Sequence, residues 1–194
     1  MLYLAFGLIS LILFIGVSRS SSATQACTNS SEPQLVGKNA CELIFSYLHS
    51  IKVENISPLI MTELFAFVYC EVDTLLYFRK ISSRETITNS LLTTFDTVIS
   101  KSFPSLDLDY AQSAFNERVA EYAAMTRENK DKSEIIDRFN VNFSHAIKGV
   151  HYKRGETPIV IGGIMESFNE ENSIHSFYLA HMVPFMKNIV TNFS

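Results

Sequence analysis

The sequence predicts an all-α protein: an N-terminal apolar helix of transmembrane type, a polar tether, then a bundle of about six helices. Three observations carry this expectation. From Lys38 onward, apolar residues recur at spacings of three and four, the period of a helix with one buried face. Ser, Asp and Pro stand where helices begin, and polar breaks stand where they end. The single β-rich stretch, "IVIGG" within residues 158–164, has no second strand to pair with and reads as a short strand or a broken helix.

The first element is the charge-free run Leu2 to Val17 in "MLYLAFGLISLILFIGVSRSSSATQA". As a helix it spans about 24 Å, against about 30 Å of bilayer hydrocarbon. Residues 1–20 together come close to a span. The short run and the small residues Thr24 and Ala26 before Cys27 fit a cleaved signal. No basic residue precedes the run, and Arg19 follows it directly, which fits a retained anchor with the main domain in the cytoplasm. The anchor is the reading adopted. The alternatives are a cleaved signal, giving a secreted or periplasmic protein, and an apolar helix packed into the domain. Residues 21–37, rich in Ser, Thr, Asn and Gln, read as a flexible polar linker, and 38–194 as the helical domain.

Within the domain, "NACELIFSYLHSI" places Cys41, Ile44, Leu48 and Ile51 on one stripe. "SPLIMTELFAFVYCEVDTLLYFRKI" opens on Ser57 as N-cap with Pro58 at the first helical position. It is apolar on nearly all faces up to Ile81, as a central helix would be. Glu63, Glu71 and Asp73 argue against a second membrane span there. The next helix opens on a capping box, Ser82 with Glu85, and its stripe is Ile87, Leu91, Phe95, Val98 and Ser102. Asp109 is expected to cap a helix with the stripe Ala111, Phe115, Val119, Tyr122 and Met125. "SEIIDRFNVNFSHAIKGV" buries Ile135, Ile136, Phe139, Phe143, Ala146, Ile147 and Val150. The last helix, capped by Ser173, buries Ile174, Tyr178, Met182, Phe185, Ile189 and Phe193, with a bend at Pro184.

Composition excludes some functions. The 16 basic and 20 acidic residues are interspersed, which gives no concentrated footprint for nucleic acid. The three cysteines, Cys27, Cys41 and Cys70, lack the close spacing of a zinc site or redox dithiol. Cys41 and Cys70 read as small buried hydrophobes, and a disulfide between them is open only to an exported domain. No metal site is expected. There is no Glu-x-x-His pair, and His145/His151 and His175/His181 are six apart, so the rings of each pair diverge by about 120° on a helix. Glu171 and His175 are four apart, but a cap at Ser173 would separate them. No Gly-x-Ser-x-Gly elbow or phosphate loop occurs, and no cofactor is implied. Asn29, Asn55, Asn142 and Asn192 stand in Asn-x-Ser contexts, which matter only in a secretory lumen.

Two groups remain as candidate sites. Glu63 and Glu71, eight apart, lie within about 80° on the central helix, and Arg79 lies eight further along. They would form a polar pocket if they faced inward; otherwise they form a polar strip. Lys148, His151, Lys153 and Arg154 make a basic patch suited to anionic headgroups or an acidic partner. The chain therefore reads as a membrane-tethered helical domain that binds a protein, as scaffold, accessory or regulatory subunit. Its partners would be the bilayer, through the N-terminal helix, and a protein. The competing reading is a helical-bundle enzyme or small-ligand binder. A filled interior with exposed apolar surface separates the first reading from a concave pocket holding Glu63 and Glu71.

Overall fold

The structure, a computed structural model, describes residues 32–53, 55–149 and 177–193. The N-terminal apolar run, most of the linker, the 158–164 stretch, and His151, Lys153 and Arg154 lie outside the described residues. Among the described residues there are six α-helices: α1 (Val36–Ser50), α2 (Pro58–Phe78), α3 (Arg84–Ser102), α4 (Leu108–Arg127), α5 (Lys132–Ile147) and α6 (Val183–Phe193). A 3₁₀ turn, Pro33–Leu35, leads into α1, and a π-helical turn, Tyr178–Met182, leads into α6. Among the described residues there is no strand, and no helix is long and apolar enough to cross a membrane.

Helix α2 is the axis of the bundle and packs against all five other helices. Thirteen of its 21 residues are buried, so an amphipathic stripe would not serve it, and its apolar residues occur all round. Ser57 caps it as the sequence predicts: its hydroxyl accepts from the Ile60 amide at 3.3 Å, with Pro58 next. Aromatic rings fill the space around it. Phe67 stacks on Phe139 of α5 at 4.0 Å between centroids, and Phe65 meets Phe95 of α3 at 5.7 Å. Phe95 in turn lies 4.7 Å from Phe115 of α4. These contacts tie four helices into one core.

Several expectations are corrected. Pro33–Gly37, expected as linker, are helical, and Val36 and Gly37 are buried. Gly37 reads as a linker residue, yet it is a packing residue. A β-carbon there would lie 2.2 Å from the Ser90 carbonyl oxygen on α3. The close approach is fixed by hydrogen bonds, Gly37 N–H to Ser90 Oγ at 3.0 Å and Ser90 Oγ–H to the Gln34 carbonyl at 2.6 Å. Helix α3 starts at Arg84 after Ser83, without a side-chain cap, so the capping box at Ser82 does not form. Arg84 is held from outside by Asp73, which accepts at 2.6 and 2.8 Å and fixes the start of α3 against α2. Asp107, not Asp109, caps α4, accepting from the Asp109 amide at 3.0 Å.

Ser102 and Ile147 are exposed at helix ends, and Ile51 is half-buried in the turn after α1. In the last helix Met182, Phe185 and Ile189 are buried as expected, but Phe177 rather than Tyr178 is fully buried on the preceding turn. The π turn explains this. The turn from Tyr178 to Met182 is π-helical, so the 3.6-residue period does not carry through it, and Phe177 packs against Tyr47 at 4.5 Å between ring centroids.

Candidate functional site

Helix α4 carries the stripe Ala111, Phe115, Arg118, Tyr122, which runs at spacings of four, three and four. An arginine therefore occupies a core position. Its side chain is 2% exposed and points at α2. A charge so buried is stable only if it is paired and hydrogen-bonded, and Arg118 is both. Its Nε donates to Glu63 Oε1 at 2.5 Å, and its Nη1 to Glu121 Oε2 at 2.7 Å.

The ring then closes. The Tyr122 hydroxyl donates to Glu63 Oε2 at 3.3 Å. Asn142 Nδ2, from α5, reaches both Tyr122 Oη at 3.1 Å and Glu121 Oε2 at 3.3 Å. Arg138 of α5 supplies the second cation, 2.6 Å from Glu121 Oε1. Two guanidinium groups thus balance two carboxylates, and three helices are joined through side chains alone.

Burial sets the electrostatics. It pushes the Glu63 carboxyl up to about 7, an effect the adjacent Arg118 opposes and does not cancel. Burial, and then the Glu63 charge, hold the Tyr122 hydroxyl well above its ordinary range. His145 lies at the α5 end of the cluster. It is lowered by burial and by Lys148, Arg118 and Arg138, so it is neutral near pH 7.

Glu71 is also buried, 6% exposed, and pairs elsewhere. Both its oxygens lie 2.5 Å from Lys132 Nζ at the start of α5. Tyr178 of the π turn completes the group, its ring centroid 5.6 Å from that ammonium. Burial first, and Glu71 second, push the Tyr178 hydroxyl up to about 12.

The two carboxylates on the central helix therefore face inward but do not share a site. Glu63 pairs with α4, and Glu71 with α5. Arg79 joins neither; it is exposed at the C-terminal end of α2. Lys148 is exposed after α5. Asn142, one of the Asn-x-Ser asparagines, is 2% exposed and committed to the ring. Arg118 and Glu121 lie off the α4 stripe expected from the sequence, whose third member is Val119. The signal was present: continuing from Phe115 by three and then four lands on Arg118 and Tyr122.

The arrangement leaves little room for acid–base or nucleophilic chemistry. Both oxygens of Glu63, Glu71 and Glu121 are engaged. Cys41 and Cys70 are free thiols within the core. Burial and then Glu42 push Cys41 up to about 12, and burial raises Cys70 further, so neither is a thiolate near neutral pH. Cys70 donates weakly to the Val119 carbonyl at 3.6 Å. A shallow, open depression on α4 is lined by Asp109, Gln112, Ser113, Asn116, Glu117 and Ala120, none of them in the buried ring. Among the described residues no three His, Cys, Asp or Glu side chains converge as metal ligands would. The chain matches no protein-family model, no curated protein and no solved structure.

Proposed function

We propose that this chain is a membrane-tethered helical domain that acts by binding a protein, with its main domain in the cytoplasm. The observation that carries the reading is the closed state of the interior. The polar residues of the central helix, which could have lined a pocket, are spent on Arg118 and Lys132. Beside them Phe67 stacks on Phe139, and Phe95 lies tilted against Phe115. Function then falls to the outer surface, where Tyr110 and Leu179 are both more than half exposed. The charge asymmetry around the N-terminal run supports the anchor and its orientation.

The test is the size of the particle the protein forms in its own membranes. Released by a mild detergent, the full chain should migrate well above its own 21.9 kDa plus micelle, with a second polypeptide in fixed stoichiometry. A chain that migrates alone, or only with copies of itself, contradicts the proposal.

A further inference from the structure

The last turn of α2 differs from the rest of that helix. Tyr77 is 62% exposed and Phe78 70% exposed, although a central apolar helix would be expected to bury both. The cause is the turn that ends the helix. Arg79 N–H bonds the Leu75 carbonyl, Lys80 N–H the Tyr77 carbonyl, and Ile81 N–H the Leu76 carbonyl, at 3.0 to 3.1 Å. Lys80 takes the left-handed conformation, φ 54°, where helix ends most often place glycine. Ile81, 6% exposed, is pinned back into the core. That pin fixes the turn and drives Tyr77–Lys80 outward as a convex tip.

The tip combines two chemistries. Tyr77 and Phe78 meet edge to face at 5.5 Å, and the Arg84 guanidinium sits 5.2 Å from the Tyr77 ring centroid. Asp73 is committed to Arg84. Arg79 and Lys80 are exposed, and among the described residues neither forms an ion pair. Exposed aromatic rings flanked by free cations suit the boundary layer of an anionic bilayer, where rings settle at headgroup depth and cations meet phosphates and carboxylates. A convex tip needs no complementary pocket in such a partner.

We infer that the α2–α3 corner, Tyr77–Lys80, is a second membrane contact that docks the domain onto anionic headgroups. The inference rests on the membrane-proximal reading above and adds the face that the domain presents to the lipid.

The chain has no tryptophan, so Phe78→Trp provides a single fluorophore at the tip. The full chain carrying it is reconstituted with phosphatidylcholine vesicles, with or without phosphatidylserine, and its flotation is recorded alongside its emission. With phosphatidylserine, the emission should shift to the blue and be quenched by brominated acyl chains. Neutralising Arg79 and Lys80 to Gln should lower the ratio of docked to free corner about 30-fold, at about fivefold per cation. Tyr110→Trp, exposed on α4, should stay solvent-like.

A chain that floats with both vesicles while Trp emission at 78 stays solvent-like overturns the corner and leaves the anchor standing. Flotation only with phosphatidylserine, with quenching at 78, supports the corner and removes the anchor. Equal quenching at 110 means unspecific adsorption and overturns the proposal. So does a photoreactive residue at 78 that links to a polypeptide instead of lipid in native membranes.

Discussion

Arg118 costs more to bury than any apolar residue at its position, and the ring around it is what makes that burial tolerable. Removing the guanidinium alone would strand the Glu63 carboxylate in the core. We expect Arg118→Met to lose about 3–5 kcal/mol in denaturant unfolding. A loss below about 1 kcal/mol would mean that the ring is not closed. Glu63 gives a second prediction at this scale, in pH. Its folded-state value of about 7 lies above the ordinary 4.5, so the folded protein holds the proton through that window while the unfolded chain releases it. The stabilising contribution is complete below about pH 4.5 and falls away as pH rises to about 7. Glu63→Gln, which mimics the protonated form, should therefore gain stability relative to the parent between pH 4.5 and 7 and hold constant above. A gap that moves the other way would mean that Arg118 keeps Glu63 ionised throughout. Position explains what could be read here. Glu63 and Glu71 stood out as charges on an apolar helix. Arg118 sits on a helix with many polar residues, where one more draws no notice.

Helix positions were legible because apolar spacing is a collective signal carried by four or five residues per element. Helix ends were less so, because each rests on one or two residues whose partners lie elsewhere in the fold. Ser57 works as a cap because Pro58 and the apolar run leave the chain no other starting point. Ser82 fails because Asp73, eleven residues from Arg84, fixes the start of α3 from another helix. The π turn before α6 was invisible to a fixed period of 3.6. Gly37 shows the same limit: glycine in a polar stretch reads as a linker, and only the backbone of α3 reveals why it is small. Gly37→Ala should destabilise the domain by about 1–3 kcal/mol, since the clash is with main chain that cannot rotate away. Ser90→Ala, which removes only the hydrogen bonds, should cost about 1 kcal/mol. Thermal or denaturant unfolding of the two variants would show whether sterics or hydrogen bonding sets the α1–α3 spacing, and equal losses would contradict the steric account.

At the scale of the molecule, rings and ion pairs occupy the core among the described residues, and the proposed function rests on the surface and the location. The all-α bundle and its central helix follow from the pattern of apolar residues. The mode of action does not, because an exposed tip such as Tyr77–Lys80 is written in the same apolar letters as the core and is set outward only by how the turn folds. The proposed function requires a domain attached to a membrane, with residues beyond Arg19 on the cytoplasmic side. The decisive measurement joins a reporter that is active only outside the cytoplasm after Ser194 and assays it together with the intact mass of the native chain in alkaline-washed membranes. The expected result is an inactive reporter and a membrane-retained chain that keeps its N-terminal apolar segment. An active reporter, or a soluble chain that starts near Cys27, would contradict it.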